Sequence, residues 1–186
     1  MSATIQELSS RRQSYSATSK WLHWIMAIIV IGMIPAGIIM SKLPKGPERR
    51  MIFGYHTEFG VLILLMVIWR FLTRLSHGTP TSVATLSTFE RVASTSATHL
   101  LYLLLFLMPL IGWLAVSALG GHISFFSLFQ LPALMPKDPA VSKFLFLLHK
   151  IGGISILVLA SAHILAALYH GLVKRDGVFS RMWPGA

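Results

Sequence analysis

Histidine is the residue type whose number and placement in this chain suggest chemistry. Eight are present, and six fall in or at the ends of strongly apolar stretches: His23, His56, His99, His149, His163 and His170. An ionisable group inside hydrocarbon is costly, so such a histidine is by default either functional or hydrogen-bonded to a neighbouring helix. The stretch HKIGGISILVLASAH sets His149 and His163 at the two ends of an otherwise almost wholly apolar run. From 149 to 163, a helix rises ~21 Å and completes nearly four turns, so the two imidazoles share a face at very different depths. They cannot bind one metal ion together, but each could give one axial ligand to a different haem.

Each such haem needs a second ligand at matching depth. If the apolar spans alternate in direction, His56, early in the second, shares a level with His149, early in the fourth. His23, early in the first, is the counterpart of His163, although His170 matches its shallow level at least as well. Gly60 follows His56 by one turn, and Gly152 and Gly153 follow His149 within four residues, where missing side chains could admit a porphyrin or simply close helix packing. Arg70 and Arg74, one turn apart, could hold the anionic propionates of one haem, and Lys150 or Lys42 those of the other, or all four could be snorkelling anchors at helix ends. His77 and His122 lie in loops and carry no assigned role.

The elements that position these residues follow from composition. Of the 186 residues, 54% are hydrophobic and only 12% charged, with a mean hydropathy of +0.69, which points to a membrane protein. Four segments are long and apolar enough to cross a hydrocarbon core, which takes ~20 helical residues: Trp21–Met40, Phe53–Leu72, His99–Ala118 and Phe144–Val173. The fold class is therefore an all-α membrane protein, a four-helix up-and-down bundle spanning 21–173. A polar tail over 1–20 precedes it and a short cytoplasmic tail over 174–186 follows. The first span lacks the flanks of a cleaved secretory signal. With no cysteine, disulfides, thiolate-held clusters and covalent haem attachment are excluded.

SKLPKGPERR ends the first span. A Ser/Thr-rich connection with a short surface helix from Ser87 separates the second span from the third, and Pro109 is placed to kink the third. The long aromatic and proline-rich loop before the fourth span is suited to lie at the interface as a partial lid. Net charge is +10, but the bases flank apolar spans, which fits a lipid bilayer or a buried anion and not nucleic acid. Nine Lys/Arg, including Arg11 and Arg12, fall on the side of the termini against seven opposite, which favours cytoplasmic termini.

WLHW, GYHTEFG, ATHLLYLLLFLMPLIGW, HKIGG and the ending AHILAALYHGLVKRDGVFSRMWPG together closely resemble the bacterial cytochrome b561 family, over nearly the whole chain from Trp21. The resemblance implies a four-helix bundle in the bacterial inner membrane with two non-covalent haem b groups, each held by two histidines. The family pattern falls on His23, His56, His149 and His163. Expected partners are ubiquinone or another membrane quinone at one end and an outer-face redox partner at the other. One bacterial relative oxidises superoxide, so quinone-linked oxidoreductase turnover of that kind is a further expectation. Lys137, Lys143 and Lys150 could steer such a small anion, or act as interface anchors. His170, His99, Glu58 and Asp176 are candidate proton acceptors for quinone chemistry.

Two other functions compete. The related cytochrome subunits of hydrogenases and formate dehydrogenases suggest a haem-bearing membrane anchor that relays electrons for a separate dehydrogenase or hydrogenase. A haem-free bundle using its histidines as a proton or metal-ion path is the third, weakened by the lack of a membrane-centre Asp or Glu.

Overall fold

The computed structural model describes residues 14–185 apart from 82 and 84. Most of the expected N-terminal tail, with Arg11 and Arg12, lies outside the described residues. Four helices of membrane-spanning length and apolarity follow one another: α1 (Ala17–Lys42), α2 (Pro47–His77), α3 (Thr88–Leu119) and α4 (Pro139–Leu168). The last runs directly into a π-helical turn, Tyr169–Lys174. Consecutive helices pack side by side, α1 on α2, α2 on α3 and α3 on α4. The fold is the expected all-α membrane bundle.

Every helix starts earlier than hydropathy alone predicts, because polar caps lie outside the apolar runs. Ser16 caps α1 through the Ser19 amide. Pro47, which sequence reasoning takes as a stop signal, is instead the first residue of α2, where its missing N–H costs nothing. Asp138 caps α4, its Oδ1 accepting from the amides of Ala140 at 2.9 Å and Val141 at 3.1 Å, with Pro139 next. At α3 the expected short surface helix and the third span prove to be one continuous helix of 32 residues. Ser87 and Glu90 form a capping box at its start, and no Gly or Pro interrupts residues 91–98. It stops at Gly120, whose left-handed φ of +83° turns the chain back.

The loop after α3 is a small antiparallel hairpin, β1 (Ile123–Phe125) with β2 (Phe129–Leu131), in register Ile123 to Leu131. Its buried Ile123 and Leu131 pack on Val116, with Phe53, Trp113 and Phe146 around them. The Trp113 indole donates to the Pro132 carbonyl at 3.0 Å and ties the hairpin's exit to α3. A second apolar cluster, Leu22, Met26, Leu64, Met66 and Val67, joins α1 to α2 near the opposite end. The two ends of the bundle are thus distinct: a hairpin end, and a terminal end that carries both chain termini.

At the terminal end, the segment after Lys174 folds back over α1. The Trp24 indole donates to the Met182 carbonyl at 2.8 Å, and the Trp24 ring meets Trp183 edge-on at 5.4 Å. Phe179 lies against Gly171, where a Cβ would come within 3.1 Å of its ring. The expected C-terminal tail is an aromatic cap on the bundle.

Candidate functional site: two opposed histidine pairs

His23, in the second turn of α1, faces His163 on α4, with ring centroids 6.1 Å apart and ring planes at 73°. His56, in the third turn of α2, faces His149, in the third turn of α4, at 6.0 Å and 71°. One pair lies at the terminal end and the other at the hairpin end. In each, helices that do not follow one another in sequence are bridged by imidazoles.

The donor set decides what such pairs can hold. Among the described residues no third His, Asp or Glu joins either pair to form a metal-binding group. A bare ion there would have only two protein ligands and could not complete even a tetrahedral shell from protein donors alone. A porphyrin would supply the donors that two imidazoles leave open. An imidazole nitrogen binds a first-row metal at about 2 Å, so two collinear imidazoles would have centroids about 6 Å apart. Both observed separations fit that span.

Ring orientation at the hairpin end fits as well. His149 Nδ1–H donates to the Met108 carbonyl at 3.1 Å, a tautomer assigned from that acceptor, which leaves Nε2 free to bind. His56 Nδ1 is buried and has no partner, and its nearest glycine is Gly37, where a Cβ would come within 3.4 Å of Cε1. Gly112 stands closer to His149: a Cβ there would lie 3.1 Å from Cε1 and 3.3 Å from Nδ1. Both rings therefore turn their Nδ1 edge to a glycine on a neighbouring helix.

Gly60, expected beside a porphyrin, faces the Met33 methyl at 3.9 Å. Gly152 packs against the Met108 thioether, and a Cβ on Gly153 would meet open space. Gly37 and Gly112 were missed because sequence spacing finds neighbours along one helix and not across two.

At the terminal end, Arg70 is buried, donates to the Ser19 carbonyl and the Met182 sulfur, and lies within electrostatic range of both His23 and His163. Its guanidinium and that of Arg74 approach the Tyr102 ring at 5.8 and 5.7 Å. His170 does not face His23; it pairs with Asp176 at 2.6 Å, both side chains largely shielded from solvent. Burial pushes the Asp176 carboxyl up, but the His170 imidazole and the Val178 amide outweigh it and hold the carboxyl below its usual range. Lys174 and Glu90 bridge α4 to α3 at 2.5 Å. His99 and His122 are exposed, and His77 is exposed and bonds locally to Ser76 and Thr73.

At the hairpin end Lys42 and Lys150 are exposed. Sequence reasoning missed Arg49, which lines a cavity of about 480 Å³ with Lys45, Arg50 and Phe53. The signal was present: residues 49, 53 and 56 follow the i, i+4, i+7 spacing of one helical face.

Comparison with known proteins supplies the family. A family model described as prokaryotic cytochrome b561 matches residues 14–185. The chain belongs to the prokaryotic cytochrome b561 family. Cytochrome b561 homolog 2 of Escherichia coli (strain K12) is 32% identical over 177 residues, covering 91% of each chain. Cytochrome b561 homolog 1 of the same organism is 23% identical over 171 residues, covering 91% of this chain and 97% of its own. Membership makes this a multi-pass bacterial membrane cytochrome, with haem b as the implied cofactor and electron transport as its setting.

Proposed function

We propose that the protein passes electrons across the membrane through two haem b groups, one held by His23 and His163 and the other by His56 and His149. The terminal end meets a membrane quinone such as ubiquinone, and the hairpin end meets an outer-face donor or acceptor, with superoxide as a candidate. The observation that carries this reading is the pair of opposed imidazole sites, each with two protein donors and each about 6 Å across. Haem held by His23 with His163 and by His56 with His149 would supply one-electron exchange, and with two protein ligands at each site it would favour outer-sphere transfer over oxygen chemistry.

The chain's own residues do the rest. The four imidazoles fix orientation, and the apolar helix faces exclude water. Arg70 sets a positive charge beside the terminal-end pair and, with Arg74, is the donor for propionates there; Lys42, Lys150 and Arg49 are the candidates at the hairpin end. His170, oriented by Asp176, is the proton acceptor for quinol oxidation at the terminal end. Lys137, Lys143 and Lys150 cluster near the start of α4, where they would steer a small anion. The base count supports cytoplasmic termini and an inner-membrane location.

The test is transmembrane electron flow in proteoliposomes loaded with an impermeant oxidant, with a water-soluble quinol added outside. Wild-type protein should oxidise quinol and reduce the enclosed acceptor, and His56→Ala or His163→Ala should bring crossing down to the protein-free background. Crossing that persists in both variants would sink the proposal, as would a wild-type protein that takes electrons and passes none on.

A further inference from the structure

We infer that Gly112, together with the Met108 carbonyl one turn before it, is a positioning device for His149. Resting on the two-haem reading, the inference is that this device sets the hairpin-end haem at a lower potential than the ring alone would give.

The geometry is close and directional. A Cβ on Gly112 would stand 3.1 Å from His149 Cε1 and 3.3 Å from Nδ1, inside the ~3.5–4.0 Å of an ordinary carbon contact. A Cβ there would require the ring to give by a few tenths of an ångström away from α3, and so away from the Met108 carbonyl that it now reaches at 3.1 Å. Donation from Nδ1 fixes the tautomer and makes Nε2 a stronger donor to iron. A stronger axial donor favours the ferric state and lowers the potential.

The other three histidines lack this arrangement. His56 Nδ1 is buried with no partner, and a Cβ on Gly37 would make only an ordinary 3.4 Å contact with its ring. No described glycine has His23 or His163 among the nearest atoms its Cβ would meet. The hairpin-end site is thus asymmetric, and its asymmetry comes from α3.

Potentiometric titration of the purified holoprotein, followed by absorbance, tests the inference in wild type, Gly112→Ala and Gly37→Ala. His56→Ala, which should retain only the terminal-end haem, assigns the components. Gly112→Ala is expected to shift the hairpin-end potential upward while the terminal-end potential stays, which also reports that the bundle is folded. Gly37→Ala should move neither potential.

The inference is overturned if Gly112→Ala leaves both potentials unchanged, moves both equally, or is matched by Gly37→Ala. A wild-type protein with fewer than two haems, or a His56→Ala protein that keeps two, would instead overturn the underlying two-haem reading. Should Gly112→Ala not assemble, the wild-type ferrous protein with ¹⁵N-labelled histidine decides: a slowly exchanging Nδ1 proton that vanishes in His149→Ala supports the bond to Met108. A rapidly exchanging one overturns it.

Discussion

At the scale of single residues, the terminal-end histidine pair has a charge beside it. Arg70 is buried 8% exposed beside the terminal-end pair, partnered by the Ser19 carbonyl and the Tyr102 face and by no carboxylate among the described residues. A fixed positive charge disfavours ferric iron. Arg70→Gln should therefore lower the terminal-end potential and leave the hairpin-end one in place, as redox titration would read; an unchanged or raised value would contradict the role. The histidines themselves were legible in the sequence, because 3.6-residue periodicity and alternating spans give depth. Which of His163 and His170 faces His23 was not, since both are shallow. It turns on the π-helical turn at Tyr169–Lys174, which carries His170 round to Asp176. Gly37 and Gly112 were also illegible, because contact across helices depends on their relative rotation.

At the scale of elements, hydropathy finds each span but misplaces its start. The caps Ser16, Ser87 and Asp138 are polar and so fall outside the apolar windows that define a span. Ser87→Ala should cost about 1 kcal/mol at the start of α3, seen as faster amide exchange at Arg91 and Val92; unchanged exchange would show the capping box to be idle. The C-terminal cap is a second element whose order the sequence hid, since it rests on contacts from Trp24 to residues 179–183. Asp176 anchors its first turn. Its carboxyl is held below the usual value of 3.8, so its stabilisation is complete above that pH and is lost as pH falls through the lower folded value. Protease cleavage after Lys174 should accelerate on acidification below about 4 in wild type and already be fast at neutral pH in Asp176→Asn. Equal rates for the two proteins at neutral pH would remove the anchor.

At the scale of the whole molecule, the bundle has two different ends. The terminal end is an aromatic cap with a His170–Asp176 pair and a buried arginine. The hairpin end is a β-hairpin flanked by the basic residues Lys45, Arg49 and Arg50 at the α1–α2 turn, which form no ion pair among the described residues. Between them the helices present large exposed apolar side chains such as Ile28, Trp69, Val158 and Leu165, which suit lipid. Two unlike ends would suit the proposed transfer between a membrane-soluble and a water-soluble partner. The central claim is that each histidine pair holds one haem. It is tested most directly by counting haem per chain in detergent-purified protein, with oxidised and dithionite-reduced spectra, for wild type, His56→Ala and His163→Ala. Two low-spin b-type haems in the wild type and one in each variant, at different potentials, is the expected result. A colourless protein from haem-replete cells, or variants that each keep both haems, would contradict it.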